Sequence, residues 1–279
     1  MIAALRAHWR EALIEGLLLG LFMVSAGLFA TLLYAPDSPA APALAGLPPR
    51  ARDLAMGLAM GTTAVALIYS RLGQRSGAHM NWATTLTFLR LGKMAPWDAF
   101  WYAVSQPVGG ALGVLAVAGL CGRAFTAPPV ASVTTVPGPA GTGAAFLAEA
   151  AMSFGLMTVV LQLSNRERWR RVTGLAAGVL VLLYIAFEAP ISGMSINPAR
   201  SLASAIPSGI WKGFWIYLTA PILGMLLAAE LYVRTRGMRA VLCAKLHHTD
   251  RHDCIFRCGW CRHPAAAPSI EGRNRGEPA

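Results

Sequence analysis

The sequence predicts an all-α membrane protein with six transmembrane helices and two re-entrant half-helices in an inverted repeat. Three observations carry this reading. Of the 279 residues, 55% are hydrophobic and only 13% are charged, against roughly 25% charged in an average soluble domain. Six apolar runs are long enough to cross a hydrocarbon layer of about 30 Å. One short pattern also occurs twice, as Ser76-Gly77-Ala78-His79-Met80-Asn81-Trp82-Ala83 and as Ser192-Gly193-Met194-Ser195-Ile196-Asn197-Pro198-Ala199.

The spans fall at roughly 12 to 34, 54 to 70, 97 to 121, 144 to 164, 172 to 191 and 211 to 233. The first is longer than the apolar core of a secretory signal and carries Glu15 within it, so it is expected to be retained. Each copy of the repeated pattern joins the end of a span to an apolar stretch too short to cross a bilayer, which reads as a half-helix. Irregular backbone at membrane depth survives only where protein or a watery cavity satisfies its polar groups. A matched pair of such segments therefore points to a polar path through the membrane.

The halves divide as 1–121 and 144–235, joined by an outer loop at 122–143 and followed by a tail at 236–279. Three crossings per half force the second half to enter from the opposite face, so the two half-helices approach each other from opposite sides. Small residues at helical spacing, Gly16 with Gly20, Gly57 with Gly61, Gly109 with Gly113 and Gly174 with Gly178, predict close helix crossings.

The net charge of +11 follows the loops rather than one basic face. With the N-terminus inside, Arg6, Arg10, Arg71, Arg75, Arg90, Lys93, Arg166, Arg168, Arg170, Arg171 and the basic tail residues share one side, and Arg50, Arg52, Arg123, Arg200 and Lys212 lie on the other. The positive-inside rule then places both termini in the cytoplasm, and the bilayer accounts for the charge without a nucleic-acid partner.

A half-helix starting at Trp82 or Pro198 presents free N–H groups and about half a positive charge at the midplane. Asn81 and Asn197 can each offer an amide N–H to a passing oxygen, and Arg200 adds a full charge near the outer mouth. Such a path admits neutral solutes and repels cations and protons. Glu15 and Glu149 occupy equivalent places in the first span of each half. A central carboxylate costs about 2.5 to 3.5 kcal/mol on insertion scales, so both must find partners, either as proton carriers or as acceptors holding the irregular loops in shape.

These residues resemble those of the aquaporin and glycerol-facilitator family of major intrinsic proteins, over about residues 10 to 234. The resemblance rests on Ser76-Gly77-Ala78-His79 leading into Asn81, on Ser192-Gly193 leading into Asn197-Pro198-Ala199-Arg200-Ser201, and on Glu15, Gln106 and Glu149 where the family has buried polar groups. It implies an aquaporin-like bundle, a homotetramer with one pore per subunit, water and small neutral solutes such as glycerol as cargo, a cell-membrane location and no required cofactor. Counting from each Asn, it implies an outer filter of Gly61, Ile185, Met194 and Arg200; a slip of one residue would put Met60 or Thr62 in the first place. Gly61 and Ile185 make that filter wide and greasy. The family's usual Asn-Pro-Ala is Asn81-Trp82-Ala83 in the first copy. Trp82 either packs away from the lumen or narrows it.

The tail concentrates Cys243, His247, His248, His252, Cys254, Cys258, Cys261 and His263. Thiolate and imidazole at such spacing can close a tetrahedral zinc site, with Cys254, Cys258, Cys261 and His263 as the tightest set and Cys243 or His247-His248 as substitutes. The competing reading is a basic juxtamembrane segment against anionic lipid. Residues 264–279 are polar and read as disordered. No catalytic constellation is present, so an enzyme is not expected. The rival functions are a secondary transporter, which inverted repeats also build, and a non-conducting sensor or scaffold with a metal-binding tail.

Overall fold

The computed structural model describes residues 1–249 and 254–260. Among the described residues, six helices are long and apolar enough to span a membrane. They are α1 (Ile2–Tyr34), α2 (Pro49–Tyr69), α4 (Pro96–Cys121), α5 (Gly141–Ser164), α6 (Thr173–Ser192) and α8 (Phe214–Arg236), with the half-helices α3 (Trp82–Arg90) and α7 (Pro198–Ser208) between them. The first helix begins ten residues earlier than its apolar run, because a helical stretch carrying Arg6, His8, Arg10 and Glu11, with non-helical dihedrals at His8, precedes the span. Cys261, His263 and the 264–279 segment lie outside the described residues.

The pairing of helices repeats between the halves. α1 packs along α4 and α5 along α8, while α2 packs along α6 and so joins one half to the other. Each half-helix leans on the third span of the opposite half: α7 on α4 and α3 on α8. The glycines account for the closeness. A Cβ on Gly16 would lie 2.6 Å from the carbonyl oxygen of Ser105, and one on Gly20 would lie 2.8 Å from that of Gly109. On the α2–α6 crossing, a Cβ on Gly57 or Gly61 would lie 2.6 Å from the carbonyls of Leu182 and Gly178. Backbones meet there because at least one side of each contact is a glycine with no side chain.

Large apolar side chains point outward all around the bundle, including Leu112, Leu120, Leu147, Phe187 and Leu227. The polar residues are inside: Glu15, Gln106, Glu149, Ser76, Ser192 and Thr87 are all fully buried. This inversion of the soluble pattern is what a hydrocarbon solvent requires, since every interior polar group must then be satisfied by the protein.

Candidate functional site

The two loops that enter the bundle share one backbone trace. Gly77, Ala78 and Met80 have φ of 100°, 55° and 47°, and Gly193, Met194 and Ile196 have φ of 81°, 48° and 49°. Left-handed backbone at non-glycine residues costs of order 1–3 kcal/mol each, so it must be held by surrounding bonds. Two carboxylates hold it. Glu15 accepts the Ser76 hydroxyl at 2.7 Å and the backbone N–H groups of His79 at 3.0 Å and Met80 at 2.6 Å. Glu149 accepts the Ser192 hydroxyl at 2.7 Å and the N–H groups of Ser195 at 2.7 Å and Ile196 at 2.6 Å. Gln106 adds an amide donor to Glu15 at 2.9 Å. Tyr102 and Tyr217, unremarked in the sequence, donate to the carbonyls of Ser76 and Ser192 in matching fashion. Neither glutamate lines the cavity described below.

Both half-helices begin at an asparagine in extended conformation. The Asn81 Oδ1 accepts the Ala83 N–H at 2.8 Å, and the Asn197 Oδ1 accepts those of Ala199 at 3.1 Å and Arg200 at 3.3 Å. Each amide nitrogen then crosses to the other loop: Asn81 Nδ2 donates to the Ile196 carbonyl at 2.8 Å and Asn197 Nδ2 to the Met80 carbonyl. An amide NH2 has two hydrogens. One is spent on this cross-link, and both asparagines line the cavity, where the second can face a solute.

That cavity has a volume of about 450 Å³ and runs through the bundle from Tyr34 and Asp53 at one end to Ile68 and Leu246 at the other. Its walls are regular stripes. Met56, Met60, Ala64 and Ile68 come from α2, and Ala177, Val181, Ile185 and Ala189 from α6. Met194 and Arg200 also line it. The sequence-based placing of Gly61 in this wall is corrected: Gly61 faces the Gly178 carbonyl in the α2–α6 crossing, and Met60 takes the wall position. The reason is angular, since one residue turns a helix by 100°. Met60 and Met194 share an apolar cluster against which Ile185 packs. Among the described residues, the buried Arg200 Nη1 has no hydrogen-bond partner. Phe22 of α1 and Met56 of α2, absent from the sequence-based set, complete the wall; the four-residue spacing of the α2 stripe is a signal for Met56, and Phe22 has none in the repeated motifs.

The sequence profile for the major intrinsic protein family matches residues 4–232. The chain belongs to the major intrinsic protein family. It is 34% identical over 174 residues to a probable aquaporin NIP-type of Nicotiana alata, covering 62% of each chain. With aquaporin NIP1-1 of Arabidopsis thaliana it shares 36% over 179 residues, 63% of this chain and 60% of the relative. These matches thus span about three fifths of the curated relatives' length. The fold is similar to that in the X-ray structure of the aquaglyceroporin from Plasmodium falciparum, with a TM-score of 0.65 and 24% identity over 81% of this chain and 95% of that one.

In this major intrinsic protein Trp82 stands at the first position of α3 and is absent from the cavity wall. Its indole Nε1 donates to the Ala103 carbonyl in α4 at 2.8 Å. Four residues after Ala103 comes Pro107, inside the same helix. Proline has no N–H to give that carbonyl, and Trp82 supplies one. His79 is buried and lines the cavity with both ring nitrogens engaged, one with Thr85 Oγ1 at 3.1 Å and one with the Ala244 carbonyl at 2.8 Å. Ala244 belongs to the tail.

The tail gathers four potential ligands, Cys243, His248, Cys254 and Cys258, whose donor atoms lie within 4.8 Å of one another. Cys254 and Cys258 were in the set read from sequence; Cys261 and His263 lie outside the described residues. His247 turns aside to pack on Tyr69, with ring centroids 4.5 Å apart. Hydrogen bonds with Cys254 and Cys258, more than burial, raise the Cys243 thiol well above the ordinary thiol range. At His248 burial acts downward, but bonds with the same two cysteines outweigh it and push the imidazole up to about 9.

Proposed function

We propose that this chain is a passive membrane channel for water and small uncharged solutes such as glycerol, closed to protons and ions. The observation that carries the reading is the reciprocal amide cross-link. It fixes two half-helix N-termini against each other at the cavity, each with an amide hydrogen to spare for a passing oxygen. Two positive helix ends and Arg200 make that point unfavourable for cations. Met60, Ile185 and Met194 present an apolar wall opposite Arg200, which suits the carbon face of a polyol, and Trp82 shapes the half-helix tip without entering the lumen.

Glu15, Glu149 and Gln106 act as loop supports in this reading. The carboxylate oxygens of Glu15 and Glu149 are occupied by loop donors and, at Glu15, by the Gln106 amide, which favours a channel over a coupled transporter that would need a titrating group in the path. The division at residues 121–122, 143–144 and 235–236, a homotetrameric assembly, a cell-membrane location and cytoplasmic termini belong to the same proposal. Conduction by such a pore needs no cofactor; zinc, if bound, belongs to the tail.

Stopped-flow swelling and shrinking of proteoliposomes tests the reading. Water and glycerol are expected to cross down their gradients without any coupled ion flux, and a proton gradient is expected to persist as long as in empty vesicles. Accumulation of solute against its gradient would replace the channel by a transporter.

A further inference from the structure

The tail folds back across the mouth of the cavity, and its binding there depends on a short stretch of backbone. Leu246 N–H donates to the Gly77 carbonyl at 3.1 Å, Leu242 N–H to Asn165 Oδ1 at 2.6 Å, and Arg257 N–H to the Lys93 carbonyl at 3.0 Å. These three bonds anchor it to both halves of the bundle. Phe256 stacks on the His79 ring, 5.5 Å between centroids and 17° from parallel. Val241, Cys243, Ala244, Lys245, Leu246 and Phe256 are buried, and Leu246 is part of the cavity wall.

Among the described residues the segment beyond Ala240 has no helix or strand to fix this path, which rests on the bonds and packed side chains just named. The Cys/His cluster supplies a cross-link. Tetrahedral zinc with Zn–S near 2.3 Å and Zn–N near 2.0–2.1 Å separates its ligands by roughly 3.5–3.8 Å. Cys243 Sγ and Cys254 Sγ are 3.6 Å apart, within that range; Cys258 Sγ is 3.2 Å from His248 Nε2, a hydrogen-bond distance that would lengthen by about 0.3 Å around the ion, and all four donors lie within 4.8 Å of one another. Two sulfurs also receive backbone donors from two residues on, Lys245 N–H to Cys243 at 3.5 Å and Trp260 N–H to Cys258 at 3.3 Å. Donors aimed at sulfur are the outer support that metal-bound thiolates use. Arg170 lies beside the group, with its Nη1 3.4 Å from His248 Nδ1 and its guanidinium over the Trp260 ring, offsetting the negative charge that three thiolates bring to one divalent ion.

We propose that Cys243, His248, Cys254 and Cys258 form a zinc site, and that the bound ion clasps the tail over the cavity mouth so that Leu246 obstructs passage until the metal is removed. The ligand set is soft, three thiolates and an imidazole, which selects zinc over magnesium or calcium. The clasp half of this proposal rests on the channel reading above; the metal half does not.

The test uses the full-length protein, purified without a metal-binding tag, in detergent and in proteoliposomes. Elemental analysis is expected to give about one zinc per chain, and cobalt(II) to give the intense visible bands of a tetrahedral thiolate site. Cys254→Ser and Cys258→Ser are each expected to weaken retention at least about tenfold. Chelation of the wild type is expected to raise water flux about tenfold, and Leu246→Ala to raise it without loss of zinc. Less than about 0.2 zinc per chain with no cobalt spectrum overturns the site. Bound zinc with flux unmoved by chelation and by Leu246→Ala overturns the clasp. Flux that responds to reductant and not to chelator also overturns the site in favour of thiol oxidation. Bound zinc with no flux from any variant overturns the channel reading and the clasp with it, while the cobalt spectrum still identifies the ligands.

Discussion

Trp82 fills the hydrogen-bonding vacancy that Pro107 creates. The proline interrupts α4 and leaves the Ala103 carbonyl without its helical donor, and the Trp82 indole N–H reaches it from the half-helix at 2.8 Å. The large side chain at the half-helix tip is thus anchored in the neighbouring span, away from the cavity.

This pairing has a measurable signature. Trp82→Phe removes the donor and leaves a buried carbonyl short of a partner, with an expected cost of about 1–3 kcal/mol. Pro107→Ala restores a backbone N–H to the same carbonyl. In the Pro107→Ala background the Trp82→Phe change is expected to cost less, with a coupling of about 0.5–3 kcal/mol in a double-mutant cycle of unfolding in detergent. Additive costs would mean that the two residues act separately. Trp82→Pro, which restores the repeat's symmetry, is expected to change flux by less than about tenfold, or roughly 1.4 kcal/mol in barrier. A silent wild type made fully conductive by this change would identify Trp82 as a plug.

Asn197→Asp keeps the shape of the cap but turns the Met80 cross-link into oxygen against oxygen. Water flux per inserted channel is expected to fall, and the added negative charge between the two helix ends is expected to raise cation conductance. Planar-bilayer or voltage-clamp recording reads the second effect directly, and an unchanged ion leak would contradict the electrostatic account.

Arg200→Val removes the charge from the cavity wall at the proposed filter. Solutes excluded by the wild type, including larger polyols and small cations, are expected to enter vesicles containing the variant. Selectivity identical to wild type in a correctly inserted variant would remove Arg200 from the filter.

The exchange of Gly61 for Met60 separates two kinds of position. Met60→Phe with Ile185→His is expected to suppress glycerol flux while sparing water, by adding bulk and a polar group to the wall. Gly61→Phe is expected to act on folding instead, because its Cβ alone would meet the Gly178 carbonyl at 2.6 Å; even Gly61→Ala should cost about 1–3 kcal/mol through overpacking. Thermal unfolding separates the two: only the Gly61 variants are expected to lose stability with selectivity unchanged in what remains folded.

The sequence by itself determined the architecture. Span length is set by bilayer thickness, the paired loops announce themselves by repetition, and the glycine spacings of α1, α2, α4 and α6 name the crossings that the structure contains. These are local or periodic properties, so a one-dimensional reading reaches them. Tertiary structure alone decided which side chain faces which space. Gly61 and Met60 differ by one residue, yet a 100° turn sends one into a helix crossing and the other to the cavity. The partnership of Trp82 with Pro107 joins two features that each look like a defect when read singly. In the tail the count of cysteines and histidines suggested a metal, but selecting Cys243 and His248 to join Cys254 and Cys258 required the chain to fold back on the bundle. Ligand convergence is a matter of distances in space, which spacing along a chain without regular secondary structure does not specify.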